Sequence, residues 1–222
     1  MTILSLDLTS EHGSLAVRRD RQLAAEHYLH STGGFAHLVF PAIETVLQLA
    51  GLTLQEVACF ASASGPGAFT GLRVGLSAVK GLAEATGKPA VGVSNLRAMA
   101  SFGNFPLRAV VLDARRGDVF TAVYDDRLQM VEDETVGKLQ KWLETLTVQP
   151  DEFICPNASW LKSELAPTRF ASTPTMEVPR TLAASVAECA ELDMLEGRST
   201  DPADLDANYV RRSDAELFWV DR

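Results

Sequence analysis

Cysteine is scarce. Cys59, Cys155 and Cys189 are odd in number and far apart in 222 residues, which excludes a disulfide framework and a Cys-x-x-Cys zinc or redox site, so buried free thiols are expected. His12, His27, His30 and His37 include no H-x-x-x-H pair, and on a strand the His27/His30 spacing puts the two on opposite faces; no metal site is expected. Basic residues are outnumbered, 20 Lys and Arg against 29 Asp and Glu, for a formal charge of −9. Nucleic acid is held chiefly by Lys and Arg that displace counterions, so this balance disfavours binding by the chain alone and leaves RNA work to a basic partner. No stretch approaches the ~18 uninterrupted apolar residues of a membrane span, and the opening MTILSLDLTS lacks the basic n-region and long apolar stretch of a secretory signal. A cytoplasmic chain without a membrane partner is expected.

What is there is a core. With 46% hydrophobic residues, a chain of this length buries roughly 70 to 75% of its unfolded surface, as one large domain or two small ones. Strands are predicted over Thr2 to Leu8, Gly13 to Arg18 and, after the charged turn Arg19-Asp20-Arg21, Gln22 to Leu29. A helix follows over Phe35 to Ala50, with Pro41 as a kink or late start and Gly51 at its end. Val57 to Ala63 reads as strand, Leu72 to Thr86 as a helix closed by Gly87, Pro89 to Val93 as strand, and Ser94-Asn95 as the cap of a short helix. The order is βββαβαβα. After a soft linker at Ser101 to Pro106, strands recur at Leu107 to Asp113 and Asp118 to Tyr124, with helices near Val136 to Leu146 and Leu182 to Leu195. The boundary falls near residue 105, giving lobes of 1–105 and 106–222.

The two halves share a plan. TILSLDLTSEHGSLAVRRDRQL and RAVVLDARRGDVFTAVYDDRLQ each run from an apolar strand ending in Asp (Asp7, Asp113) through a polar turn with Gly to an alternating strand and a charged turn. An α/β protein of two duplicated lobes is the expectation.

The most specific segment is Gly65-Pro66-Gly67-Ala68-Phe69-Thr70-Gly71-Leu72-Arg73-Val74-Gly75, between a strand and a helix. Two readings stand. Glycines permit positive φ and close backbone approach, and a helix start offers N–H groups to an anion, so Gly65, Pro66, Gly67, Thr70, Gly71 and Arg73 form a candidate anion or shared nucleotide site. Alternatively the glycines solve a tight strand-to-helix turn, with Thr70 as N-cap. Neither a Walker loop nor a Rossmann G-x-G-x-x-G is present.

Arg73, Lys80 and Glu84 form one narrow stripe on the second helix, as His37, Glu44 and Gln48 do on the first. Everything else on both is nearly all apolar or small, which calls for burial on both flanks and suggests a protein interface. Asp7 and Asp113 sit where actin-like and sugar-kinase-like ATPases keep metal- and phosphate-organising Asp residues, but no Asp-x-Gly-x-Thr turn accompanies them. They serve equally as capping or turn residues. No nucleophile with a local base and no zinc motif supports a peptidase.

These residues resemble the TsaB (YeaZ-like) family, whose hallmark is Gly-Pro-Gly-Ser-Phe-Thr-Gly-x-Arg-x-Gly. Further matches stand in order: ILSLDLTS, His37 and Pro41, KPAVGVSNLRAMA, LDARRGDVFTAVY and Tyr209-Val210-Arg211. Ala68 replaces the usual Ser, and Leu38 stands where a hydroxyl is common. The resemblance implies a two-lobed actin-like, sugar-kinase-like (ASKHA) fold and a role in forming N6-threonylcarbamoyladenosine beside the tRNA anticodon. It implies a non-catalytic chain without a cofactor, bound to the TsaD-like transferase subunit through its first-lobe helices, with a TsaE-like ATPase joining, tRNA met only through the complex, and a homodimer when TsaD is absent. Partner contacts are then expected at Phe35, His37, Leu38, Pro41, Leu72, Gly75, Leu76 and Val79. The alternative is a stand-alone ATP-binding enzyme of the actin-like superfamily. Between the two lies a nucleotide site to which the glycine loop contributes and which a partner completes.

Overall fold

The computed structural model describes residues 1–199 and 201–210. Arg211 therefore lies outside the described residues. The order βββαβαβα occurs twice: β1 (Thr2–Asp7), β2 (His12–Arg19), β3 (Gln22–His30), α1 (Val39–Leu49), β4 (Cys59–Gly65), α2 (Phe69–Thr86), β5 (Ala90–Ser94) and α3 (Asn95–Ala100), then β6 (Arg108–Asp113), β7 (Val119–Tyr124), β8 (Met130–Gly137), α4 (Leu139–Thr145), β9 (Glu152–Cys155), α5 (Ala158–Leu165), β10 (Thr175–Glu177) and α6 (Ala183–Leu195). The two five-stranded sheets run β3-β2-β1-β4-β5 and β10-β9-β6-β7-β8. In each, the first strand pairs antiparallel with the second and parallel with the fourth. The duplication suggested by the two strand-turn-strand segments thus extends through the sheet topology.

In the first unit β1 is central and buried on both faces, as a strand beside a parallel neighbour should be. Leu4, Leu6 and Leu8 join Leu15 and Val17 against Val39, Ile43 and Val46 of α1 and Leu72, Leu76 and Val79 of α2. On the other face Ser5 Oγ donates to the Ala183 carbonyl at 2.7 Å, and α6 packs across β1, β2, β4 and β5. Two ion pairs fasten it: Arg18 Nε to Glu191 Oε2 at 2.8 Å and Arg97 to Asp193 at 2.6 Å. The first compact unit is accordingly Met1–Phe102 with Pro179–Ala207, and the second begins at Gly103. Against the expected lobes of 1–105 and 106–222, the division falls between Phe102 and Gly103, and α6 lies with the first unit, its apolar face covering the first sheet. Local sequence cannot reveal which of two sheets a helix will cover.

Helix boundaries shift for local reasons. The first helix starts at Val39, not Phe35, so Pro41 falls in its first turn, where a missing N–H costs little. Gly51 follows its end at φ +65°. The second helix begins at Phe69, with Ala68 as N-cap, so Thr70 is inside the helix and caps nothing. In the second unit the helix expected from Val136 begins at Leu139, because Val136 pairs with Phe120 in β8. Strand β8, helix α5 and the three-residue β10 have no counterpart in the sequence expectation. For α5 a signal existed in Asn157, whose side chain accepts from Trp160 N–H at 3.1 Å as N-cap. This unit's core gathers Val111, Val123, Leu143, Leu161 and Phe153, the last edge-on to Phe170 with centroids 5.4 Å apart.

Candidate functional site

Strand β1 ends in Asp7, which is 1% exposed. A carboxyl leaves water only against hydrogen bonds, and Asp7 has several. Thr9 donates to Oδ1 from its backbone at 3.1 Å and from Oγ1 at 2.6 Å, and Leu182 N–H donates to Oδ2 at 3.1 Å. Leu182 is the N-cap residue of α6 and offers no side-chain cap. Asp7 supplies it from β1, and Ser14 Oγ does the same for the next N–H, that of Ala183, at 3.1 Å. Two side chains of the hairpin thus cap a helix far away in sequence, and the carboxylate sits at the positive end of its dipole. Burial pushes the Asp7 carboxyl above its usual range, and the bonds from Thr9, Leu182 and Asn95 pull it part of the way back.

The glycine loop closes on the same network. Gly65, at φ +107°, donates its N–H to Asn95 Oδ1 at 3.0 Å, and Asn95 Nδ2 donates to Thr9 Oγ1 at 2.7 Å. The Gly65–Pro66 bond is cis. Ala68 N–H donates to the Thr9 carbonyl at 2.7 Å. A Cβ on Gly71 would lie 1.8 Å from the Leu8 carbonyl oxygen, and one on Gly67 2.6 Å from Thr9 Cβ. These glycines serve close approach to the chain's own β1–β2 turn, and Gly65 and Ala68 direct their N–H groups inward. Thr70 and Arg73 lie apart from this network. Both are exposed at the start of α2, and the Arg73 guanidinium stacks 3.9 Å over the Phe69 ring, a cation–π contact.

Asp113 ends β6 as Asp7 ends β1, and its Oδ1 likewise accepts the N–H two residues on, that of Arg115 at 2.8 Å. Asp113 is exposed, however. The two carboxyls therefore share a turn and differ in surroundings. Among the described residues no group of three or more His, Cys, Asp or Glu is placed to hold a metal ion.

Most of the expected partner contacts belong to the core. Phe35, Leu72, Leu76 and Val79 are 0 to 5% exposed and face the sheet, and a Cβ on Gly75 would lie 2.8 Å from Ser62 Oγ. The apolar flanks of α1 and α2 are covered by the sheet and by each other. His37 and Pro41 are exposed, and Leu38 is half-buried. Three further apolar side chains of these helices, absent from the expected contacts, are exposed: Phe40 at 55%, Leu49 at 61% and Phe69 at 43%. The signal was present. Phe40 falls three residues after His37 and four before Glu44, and Phe69 four before Arg73, so both aromatics stand on the polar stripes, where burial in the chain's own core does not account for them.

A family model for TsaD, the tRNA N6-adenosine threonylcarbamoyltransferase, matches residues 33–191. The tRNA threonylcarbamoyladenosine biosynthesis protein TsaB of Bacillus subtilis (strain 168) is 28% identical over 236 residues, spanning 100% of this chain and 99% of that protein. The chain belongs to this TsaD-like family, in its TsaB branch. YeaZ from Pseudomonas aeruginosa is similar in structure, with a TM-score of 0.76 at 25% identity, covering 94% of this chain and 99% of that one. A putative N-acetylmannosamine kinase from Listeria monocytogenes, with a TM-score of 0.55 at 8% identity over 89% of this chain and 100% of its own, shares the fold. The TsaB-branch chain thus has the two-lobed actin-like, sugar-kinase-like (ASKHA) architecture. No helix among its described residues is long and apolar enough to cross a membrane.

Proposed function

We propose that this chain is a non-catalytic partner of a TsaD-like threonylcarbamoyl transferase, required for N6-threonylcarbamoyladenosine formation next to the tRNA anticodon. The observation that carries the reading is the engagement of Asp7. On a scaffold shared with kinases, the strand-end carboxyl is buried and used as the cap of α6, and the glycine loop beside it is closed onto Thr9. A carboxyl so occupied holds the lobe together instead of organising a metal or phosphate.

The docking surface is the outward side of α1 and the start of α2, marked by exposed Phe40 and Phe69 with His37 and Pro41 and the half-buried Leu38. Large apolar side chains left exposed on neighbouring helices favour a protein partner. In the absence of the transferase the same face pairs with a second copy of the chain, since a two-fold interface uses one patch twice. A TsaE-like ATPase joins the assembly, tRNA is met only through the complex, and the chain works in the cytoplasm, where tRNA is modified.

The test is the native mass of the purified chain alone and with the TsaD-like protein of the same organism, followed by modification of tRNA by the reconstituted set. A heterodimer forming at the expense of a homodimer, with modification dependent on this chain, is expected. Undiminished modification without the chain overturns the reading. Binding of ATP by the isolated chain in calorimetry would instead favour the stand-alone ATP-binding enzyme.

A further inference from the structure

Within β3, His27 and His30 point to opposite faces, but the sheet gives His30 a different partner. His12 of β2 stands directly opposite it in the antiparallel register, and the two rings lie with centroids 5.0 Å apart and planes tilted by 37°. The neighbouring pair is hydrogen-bonded, Ser31 N–H donating to the Glu11 carbonyl at 3.0 Å. His12 and His30 therefore occupy the alternate, non-hydrogen-bonded position, where opposed side chains come closest.

Both backbones are held at this end of the hairpin. His12 N–H donates to Ser10 Oγ at 3.1 Å, and that hydroxyl donates to the His12 carbonyl at 2.9 Å. Ser31, directly after His30, donates from Oγ to the Gly34 carbonyl at 2.7 Å. Among the described residues no hydrogen bond engages either ring, so the contact between the imidazoles leaves their nitrogens open to a ligand. His12 is half-buried and His30 exposed, which gives that ligand a path from solvent. The pair has no part in the network of Asp7, Thr9 and Asn95.

We propose that His12 and His30 form a two-histidine chelate for a divalent late-transition metal ion of the zinc and copper class, which clips the edge strand β3 to β2. An imidazole nitrogen about 2.0–2.1 Å from such an ion puts its ring centroid about 3.2 Å away, and two rings so placed at about 90–110° have centroids about 4.5–5.2 Å apart. The observed 5.0 Å lies within that span. Imidazole suits these ions, with copper bound more tightly than zinc at a given site. No third His, Cys, Asp or Glu is placed to join among the described residues, so water fills the other positions, and the formal charge of −9 favours a cation at the surface. Local sequence could not show the pair, because 18 residues of hairpin separate its members and register alone brings them together. The inference does not depend on the function proposed above.

The experiment uses the full chain, stripped of metal by a chelator that is then removed, and titrates it with Zn²⁺ and with Cu²⁺ by calorimetry. Melting temperature is read with and without each ion. The tightest site should take one ion per chain, bind Cu²⁺ more tightly than Zn²⁺, and raise the melting temperature, since an ion held only by the folded hairpin stabilises it. His12→Gln and His30→Gln should each bind at least about tenfold more weakly, because even an outer-shell partner of a metal ligand is worth about 10–100-fold in affinity. His27→Gln, on the other face of β3, is the control and should bind as the natural chain does. His30 is exposed, so its substitution should leave the metal-free melting temperature unchanged and separate lost binding from lost folding. Electron paramagnetic resonance of the Cu²⁺ form should show two coordinating nitrogens in the natural chain and one in each variant. Absence of a one-to-one event with either ion overturns the proposal. Affinity that is unchanged in both variants, or weakened in only one of them, overturns it too.

Discussion

Asp7 Oδ2 accepts the backbone N–H of Leu182 at 3.1 Å, across 175 residues of sequence. This one bond joins the end of β1 to the start of α6. It gives the buried carboxyl a partner and ties α6 to the first sheet.

Removing that carboxyl orphans the N–H groups of Thr9 and Leu182 together. Asp7→Ala should cost about 1–3 kcal/mol, the penalty of buried donors left without acceptors, measured by urea unfolding. Burial holds the carboxyl above its ordinary range, so the folded chain binds this proton more tightly than the unfolded one. The resulting contribution is complete below the unfolded value and is lost as pH rises through the folded one. Asp7→Asn cannot ionise and should gain on the natural protein as pH rises through the range above the ordinary carboxylate value. A difference constant over that range would contradict the assignment.

Two glycines on α2 should respond in opposite directions to alanine. At Gly71 the new Cβ would meet the Leu8 carbonyl oxygen at 1.8 Å. Backbone cannot move aside cheaply, so Gly71→Ala should destabilise by about 3 kcal/mol or more. Nothing lies within 4 Å of the Cβ position at Gly81. Gly81→Ala should stabilise by about 0.5–1 kcal/mol, from the lower cost of alanine inside a helix. Thermal unfolding of the two variants side by side checks both signs.

Charge on the two flanks of the helices should separate docking from folding. Leu76 is 5% exposed against the sheet, and Leu76→Asp should unfold the lobe by burying an unpaired charge. Phe40 is 55% exposed. Phe40→Asp should leave the melting temperature nearly unchanged and abolish the heterodimer with the transferase in native mass measurements. A heterodimer that survives Phe40→Asp would move the docking surface elsewhere.

The thiols should be inert while the chain is folded. Burial pushes Cys59 and Cys189 up to about 12, and Cys155 up to about 11, and none of the three exposes more than 1% of its surface. Thiolate is the reactive form. A disulfide reagent at about pH 8 should therefore titrate no thiol in the native protein and three after denaturation. Rapid labelling of one thiol in the folded protein would contradict its burial.

Local pattern was enough for the elements of the first hundred residues. The alternation of Leu4, Leu6 and Leu8, the turn at Arg19-Asp20-Arg21, and Gly51 and Gly87 after their helices depend on φ preferences and periodicities that act over a few residues. The repeated run from strand to Asp to Gly-containing turn announced the second sheet before its later strands were recognised. The second unit was less legible because its remaining strands are short. Four buried residues at Glu152–Cys155 and three at Thr175–Glu177 are too few to show a period, and β8 is exposed along most of an edge.

The sequence by itself determined the duplicated strand plan, the sparse metal-ligating residues, the excess of negative charge and the position of the glycine loop. Tertiary structure alone decided what those features do. That Gly67 and Gly71 press on Leu8 and Thr9, that Asp7 caps a helix 175 residues away, and that Leu76 turns inward while Phe40 turns outward are results of packing between distant segments. The physical reason is one of range. Dihedral preferences and hydrophobic periodicity act between neighbours in the chain, whereas burial and hydrogen-bond satisfaction depend on which surfaces meet.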